Sequence, residues 1–308
     1  MDIIVDDEGR LDRVLRRMGL HFPQNLFEKW GRQKKIFVNG SAVKASFRVI
    51  RGDVITLPKD AVSMPAPQEV TPLSFTQEEA TKKLQAMIIF EDNDILVLHK
   101  PEGIAVQGGT GQRTSIDDIL RAFSPDVRFR LTHRIDKETS GLLLIAKTVS
   151  MATLLTNMFR DRVIEKTYVA CCEGIIREDD GIIDQPIQKI SKEIRSTLFG
   201  EKKSLECIVP MEDGKQAITS YKVLKRGESY TVVQLFPKTG RMHQLRVHMA
   251  SLGHPIVGDK KYGSRRKEGD VSVSSRLMLH AWKISFQIQE KIYAFEAPIP
   301  HIFNTSFL

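Results

Sequence analysis

The segment HRIDKETSG at 133 to 141 gathers a histidine, an arginine, a lysine, two carboxylates and two hydroxyls, and the apolar run LLLIA follows it directly. A polar loop held by a buried strand is a good place to fix a reactive side chain. Asp136 could there attack an electrophile or stabilise positive charge, and on spacing alone it could equally cap a turn or pair with Arg134. A second segment, RMHQLRVHMASLG, carries Met242, Leu245, Met249 and Leu252 at helical spacing with Gly253 as a stop, so a helix would hold Arg246 rigidly. His243 and His248 on that segment are five apart rather than four, and no Glu or Cys completes a set, so no metal is expected. In KTYVA, Lys166, Tyr168 and Ala170 alternate onto one face of a strand.

Strands and short helices must position these groups. MIIFED and DILVLHK flank Asn93 as a hairpin, a helix runs from Ser115 to Phe123, and a second helix carrying Met151, Leu154, Leu155, Met158 and Phe159 starts behind Ser150. KTYVACC, AITSYKVLK and SYTVVQLF follow as strands, with Arg226-Gly227 as a turn. Consecutive strands point to an α+β fold rather than a doubly wound one.

Upstream, Leu11, Val14, Leu15 and Met18 predict a short helix stopped by Gly19, with arginines on its other face. Another short helix is expected over Leu26 to Gln33, then a tight Asn39-Gly40 turn after IFV and a last strand at VITL. Pro58, Pro65, Pro67 and Pro72 punctuate a stretch without apolar periodicity, which predicts an extended linker over 58–85. The expected organisation is a small module at 1–57, that linker, and a large domain at 86–308.

Charge separates the two parts. Lys plus Arg number 46 against 38 acids, a formal +8, and eleven of those bases fall between Arg10 and Arg51 against Asp12 and Glu28 alone. Such a concentrated footprint fits a polyanionic partner, with Arg10, Arg13 and Arg17 as candidate contacts. With 41% hydrophobic and 27% charged residues the chain has the balance of a soluble globular protein. Three cysteines without a Cys-x-x-Cys pair fit a reducing compartment, and neither a secretory signal nor a membrane-length apolar run is present, so a cytoplasmic location is expected.

The chain resembles the RluA-type pseudouridine synthases. HRIDKETSG is similar to their His-Arg-Leu-Asp-x-x-Thr-Ser-Gly signature with Ile135 in the Leu position, and KPEGIAVQGG, KTYVA, TGRMHQLRVHMASLGHPIVGDKKYG and LMLHAW resemble further family blocks in order. Gln107, where many relatives have His, and Met242, where many have Thr, depart from the pattern. The basic N-terminal region resembles the alpha-L RNA-binding module, although Lys34-Lys35 stands where related modules often place Gly. The GGTGQ stretch and overall layout are most similar to members acting on large-subunit ribosomal RNA.

The resemblance implies a pseudouridine synthase fold with a mixed, mainly antiparallel sheet, and isomerisation of uridine in structured RNA. It implies Asp136 as the carboxylate that attacks the target uridine, at the ribose anomeric carbon or at the uracil ring. A carboxylate that must stay ionised where water is excluded calls for an adjacent guanidinium, for which Arg246 is the candidate. The family's stacking tyrosine corresponds to Tyr168, and Arg134 to the residue that fills the stack vacated by the extruded base, with a phosphate contact as its alternative. Lys166 joins the substrate-binding set; His133, Thr139 and Ser140 are expected to order the loop. The product is an isomer, so no cofactor is expected, and no GxxxxGK[ST] loop or dinucleotide fingerprint occurs. A monomer is expected.

Rival readings share parts of this pattern. A transfer-RNA-directed synthase would use the same residues. A non-catalytic RNA-binding or ribosome-assembly protein would be expected to lose Asp136 or its partner, and both are present. A nucleoside or glycoside hydrolase would need a second carboxylate to activate water, and the signature loops offer no convincing one.

Overall fold

The computed structural model divides into two compact units, Met1–Pro72 and Leu73–Leu308. The described residues are 2–20, 22–58, 61, 75–108, 114–124, 127–195, 202–263 and 276–305. Most of the proline-punctuated stretch, and GGTGQ beyond Gly108, lie outside them.

The first unit opens with β1 (Asp2–Ile4), β2 (Gly9–Arg10), α1 (Leu11–Arg17) and α2 (Gln24–Arg32). It closes with β3 (Phe37–Val38), β4 (Ser41–Ala42), β5 (Arg48–Val49) and β6 (Val54–Thr56). Leu11, Val14 and Leu15 of α1 are buried with Phe27, Trp30, Ile36 and Ile55, so the helical period leaves Arg13, Arg16 and Arg17 exposed. Asn39 and Gly40, with φ of 49° and 79°, make the left-handed turn between β3 and β4 that their pairing predicts. Lys34 adopts φ 55°, the backbone region for which Gly is the usual choice.

The second unit begins with α3 (Gln77–Gln85), β7 (Ile88–Glu91), β8 (Ile95–Lys100), α4 (Ile116–Phe123), β9 (Arg130–Leu131), β10 (Ser140–Ala146) and α5 (Val149–Arg160). It continues through β11 (Glu165–Glu173), β12 (Asp180–Asp184), β13 (Ile187–Arg195), β14 (Lys202–Pro210), β15 (Ile218–Arg226) and β16 (Tyr230–Pro237). α6 (Gln244–Ser251), β17 (Leu279–Ile288), β18 (Lys291–Glu296) and α7 (Ile302–Thr305) complete it. The central sheet runs β12-β15-β16-β11-β17-β10-β8-β7, with β18 on β17 and β9 on β10, while β13 and β14 form a separate hairpin. Only the β10–β17 pair in it is parallel among the described strands, which makes the sheet mixed and mainly antiparallel.

β10 explains the apolar run behind the signature. Leu143 and Ile145 enter a core with Leu84 of α3 and Ile116, Ile119 and Leu120 of α4, whereas Leu142 and Leu144 enter another with Leu155 of α5. A strand buried on both faces has no polar face to alternate with.

Three local expectations are corrected. The last nine residues of the expected linker are α3, started by a Thr76–Glu79 capping box and buried through Ala80 and Leu84. α5 is capped by the Thr148 hydroxyl, which accepts from the Met151 N–H, rather than by Ser150. α6 is buried nearly all round, from Gln244 to Met249, while Met242 and Leu252, the ends of the expected stripe, are about two-fifths exposed.

Candidate active site

The signature loop bridges β9 and β10 and is tied down at several points. The Leu144 N–H donates to His133 Nε2 at 2.8 Å, and the ring stacks on Phe159 with centroids 4.5 Å apart. Burial pushes the His133 pKa down to about 3, so the ring is a neutral acceptor that orders the loop. The Thr139 N–H closes a turn on the Asp136 carbonyl at 3.1 Å. The Lys137 carbonyl accepts from the Gly103 N–H at 2.8 Å and from the Lys100 ammonium at 3.1 Å. Lys100 also donates to the Pro101 and Ile104 carbonyls, each at 2.8 Å, so the KPEGIA block is pinned to the backbone beside Asp136. Burial pulls the Lys100 pKa down to about 8, against the opposing pull of Glu138, Asp136 and Glu102.

Where the loop enters β10, the Ser140 hydroxyl accepts from Arg276 and meets His280 Nδ1, both at 2.9 Å. Gly141 follows with φ of 112°, and a Cβ there would lie 2.2 Å from the Ala281 carbonyl oxygen of β17. The glycine that ends the signature is therefore required by close backbone approach in the parallel pair.

Asp136 projects into a cleft of about 500 Å³. It is the one carboxylate among the described residues that line the cleft, alongside seven cationic side chains: Arg134, Arg160, Arg162, Lys166, Lys238, Arg241 and Arg246. A cleft so charged suits a polyanionic substrate.

Arg246 lies on α6 with its side chain 5% exposed, and its guanidinium is shared among three acids. Nε donates to Asp259 Oδ2 at 2.8 Å and Nη2 to Oδ1 at 2.7 Å, while Nη1 stands 3.6 Å from Asp136 Oδ2 and 3.7 Å from Glu138 Oε2. Asp259 also accepts the Lys261 and Tyr262 N–H groups at 2.9 and 3.0 Å. These bonds hold its carboxyl below the usual range despite burial, and fix the guanidinium toward Asp136.

Tyr168 and Lys166 line the same cleft from β11, and Arg134 stands exposed at its rim. Burial, reinforced by the charge on Asp136, raises the Tyr168 pKa, so its phenol stays protonated at neutral pH. Burial lowers the Lys166 pKa, helped by Arg162.

The two histidines of the α6 segment have different partners. His248 meets the Thr219 hydroxyl at 2.9 Å through Nδ1 and the Gln185 carbonyl at 3.1 Å through Nε2. His243 sits ahead of the helix in the left-handed region, meets the Tyr262 hydroxyl at 2.7 Å, and lines the cleft. Asp259, Tyr262 and the rim cations Arg160, Arg162, Lys238 and Arg241 were not singled out by residue spacing. The signal available for the first two was the DKKYG end of a block already matched as a unit.

In the first unit, Arg10, Arg13 and Arg17 are all exposed; Arg10 pairs with Asp12 at 2.8 Å and Arg17 with Asp7 at 2.7 Å.

A mainly antiparallel sheet that presents a carboxylate loop and a buried arginine to a basic cleft defines an enzyme acting on a polyanion. The family model described as RNA pseudouridylate synthase matches residues 94–251, and the S4 domain model matches residues 9–55. The chain is 40% identical over 305 residues to the ribosomal large subunit pseudouridine synthase C of Rickettsia bellii (strain RML369-C), covering 96% of each. It is 37% identical to the protein of the same name from Rickettsia felis (strain ATCC VR-1525 / URRWXCal2), covering 100% of this chain and 99% of that one. Among solved structures it is similar to human RNA Pseudouridylate Synthase Domain Containing 4, with a TM-score of 0.60, 27% identity and coverage of 75% of this chain and 94% of that one. The chain belongs to the RNA pseudouridylate synthase family and carries an N-terminal S4 domain.

Proposed function

We propose that this enzyme converts specific uridines of large-subunit ribosomal RNA to pseudouridine, with Asp136 as the attacking carboxylate on a uridine turned out of its stack. The observation that carries the reading is the convergence of Asp136, Arg246 and Tyr168 on one basic cleft from a loop, a helix and a strand. Asp136 attacks the anomeric carbon or the uracil ring, and Arg246, fixed by Asp259, stands beside it and aims it. The bond from C1′ to N1 breaks with its electron pair on uracil. The base then turns, C5 bonds to C1′, the bond to Asp136 breaks and returns its carboxylate, the proton on C5 departs and N1 gains one, so the atoms balance without a cofactor.

Tyr168 stacks on the extruded base, Arg134 fills the vacated position or holds a phosphate, and Lys166 contacts the nucleotide. Residues 1–57, through Arg10, Arg13 and Arg17, supply salt-dependent RNA affinity to a catalytic domain at 86–308. The ribosomal target is supported by what the Rickettsia relatives are named for and by the S4 domain. On this reading the enzyme works in the cytoplasm as a monomer.

The test incubates purified protein with large-subunit ribosomal RNA and, separately, transfer RNA, and counts pseudouridine in each. Formation in ribosomal RNA supports the reading; formation in transfer RNA alone redirects it; free uracil would indicate a hydrolase.

A further inference from the structure

His243 has no part in the scheme above, yet its ring borders the cleft beside the reacting carboxylate. Nε2 stands 3.9 Å from Asp136 Oδ2, too long for a hydrogen bond, while Nδ1 meets the Tyr262 hydroxyl at 2.7 Å. That hydroxyl already accepts the Ile208 N–H at 3.2 Å, which leaves its own proton available to His243 Nδ1. Burial raises the Tyr262 pKa, keeping the phenol protonated, and lowers that of His243, with Asp136 opposing and Arg246 and Lys261 assisting. A neutral imidazole that accepts at Nδ1 carries its proton on Nε2. With that tautomer the N–H belongs to a ring that lines the cleft, 3.9 Å from the Asp136 carboxylate.

Two further features fix that N–H. The Tyr262 ring is covered by the Arg246 guanidinium, 5.3 Å from its centroid, so one tyrosine braces both the arginine and the histidine. His243 itself takes φ of 54°, a left-handed conformation that turns its ring toward Tyr262 ahead of α6.

Resting on the reaction proposed above, we infer that His243 donates its Nε2–H to a carbonyl oxygen of the uracil as negative charge develops there. Attack at the anomeric carbon leaves uracil with the bond pair of N1, delocalised onto its carbonyl oxygens. Attack at the ring pushes electron density onto the same oxygens, so either route needs a donor. No proton transfer to or from His243 is required.

The test compares pseudouridine formation in total cellular RNA by wild type, His243→Asn and His243→Gln. Asn tolerates the left-handed backbone and can reach Tyr262 but has nothing at the Nε2 position; Gln is long enough to return an N–H there. Expected is a fall in kcat of about tenfold to a hundredfold for Asn at unchanged KM and melting temperature, with most of it recovered by Gln. Unchanged kcat in Asn, or equal losses in Asn and Gln, overturns the inference and leaves the reaction standing. A wild type that converts no uridine overturns both.

Discussion

Arg246 and Asp259 form a two-point ion pair in which both side chains are buried, 5% and 0% exposed, and which leaves the third guanidinium nitrogen 3.6 Å from Asp136. Asp259 thus acts on the cleft through the arginine it holds. Asp259→Asn should lower kcat by at least about tenfold with RNA affinity unchanged, and Asp259→Ala should cost about 3–5 kcal/mol of stability because it strands a buried guanidinium. Steady-state kinetics with thermal denaturation check both, and wild-type kcat in Asp259→Asn would show that the pair is structural alone.

Gly141→Ala should destabilise by more than about 1 kcal/mol, since the site combines φ of 112° with a 2.2 Å approach to the Ala281 oxygen. A melting temperature equal to wild type would contradict the close approach of β10 and β17.

Acid should unfold the second unit through its buried neutral histidines. His133 and His280 have pKa values pushed to about 3 by burial, below the ordinary 6.5. The unfolded chain therefore binds more protons between these values, and the stability that the neutral rings contribute is present above pH 6.5 and lost as pH falls toward 3. His280→Asn should flatten the fall in unfolding free energy across that window, as measured by denaturant titration at several pH values; an unchanged slope would rule the histidine out.

Arg10, Arg13 and Arg17 are all exposed, and of these Arg10 pairs with Asp12 and Arg17 with Asp7. Arg13→Ala should weaken RNA binding evenly across sequences and reduce the slope of log affinity against log salt by about 1. An unchanged slope would remove this face of α1 from the interface.

The parts of this molecule that sequence reading reaches are those whose signals are local. The period of α1, the Asn39-Gly40 turn, the helix α4 behind Ser115 and the apolar run of β10 each carry their cause within a few residues. Asp136, Arg246, Tyr168, Lys166 and Arg134 were found through motif resemblance, and the structure gathers them around one cleft. Asp259 and Tyr262 were not, because their roles exist only through contacts with Arg246 and His243 made by folding. α3 was read as linker since its apolar face is narrow, Ala80 and Leu84 amid charge, although the Thr76–Glu79 capping box was there to be read.

The central claim is that Asp136 isomerises uridine in large-subunit ribosomal RNA, and site-resolved pseudouridine mapping of cells lacking this gene, complemented with wild type or Asp136→Ala, tests it most directly. The account predicts that particular large-subunit positions lose pseudouridine and that wild type alone restores them, while Asp136→Ala protein still binds the RNA. Restoration by Asp136→Ala, or no loss at any ribosomal position, would contradict it.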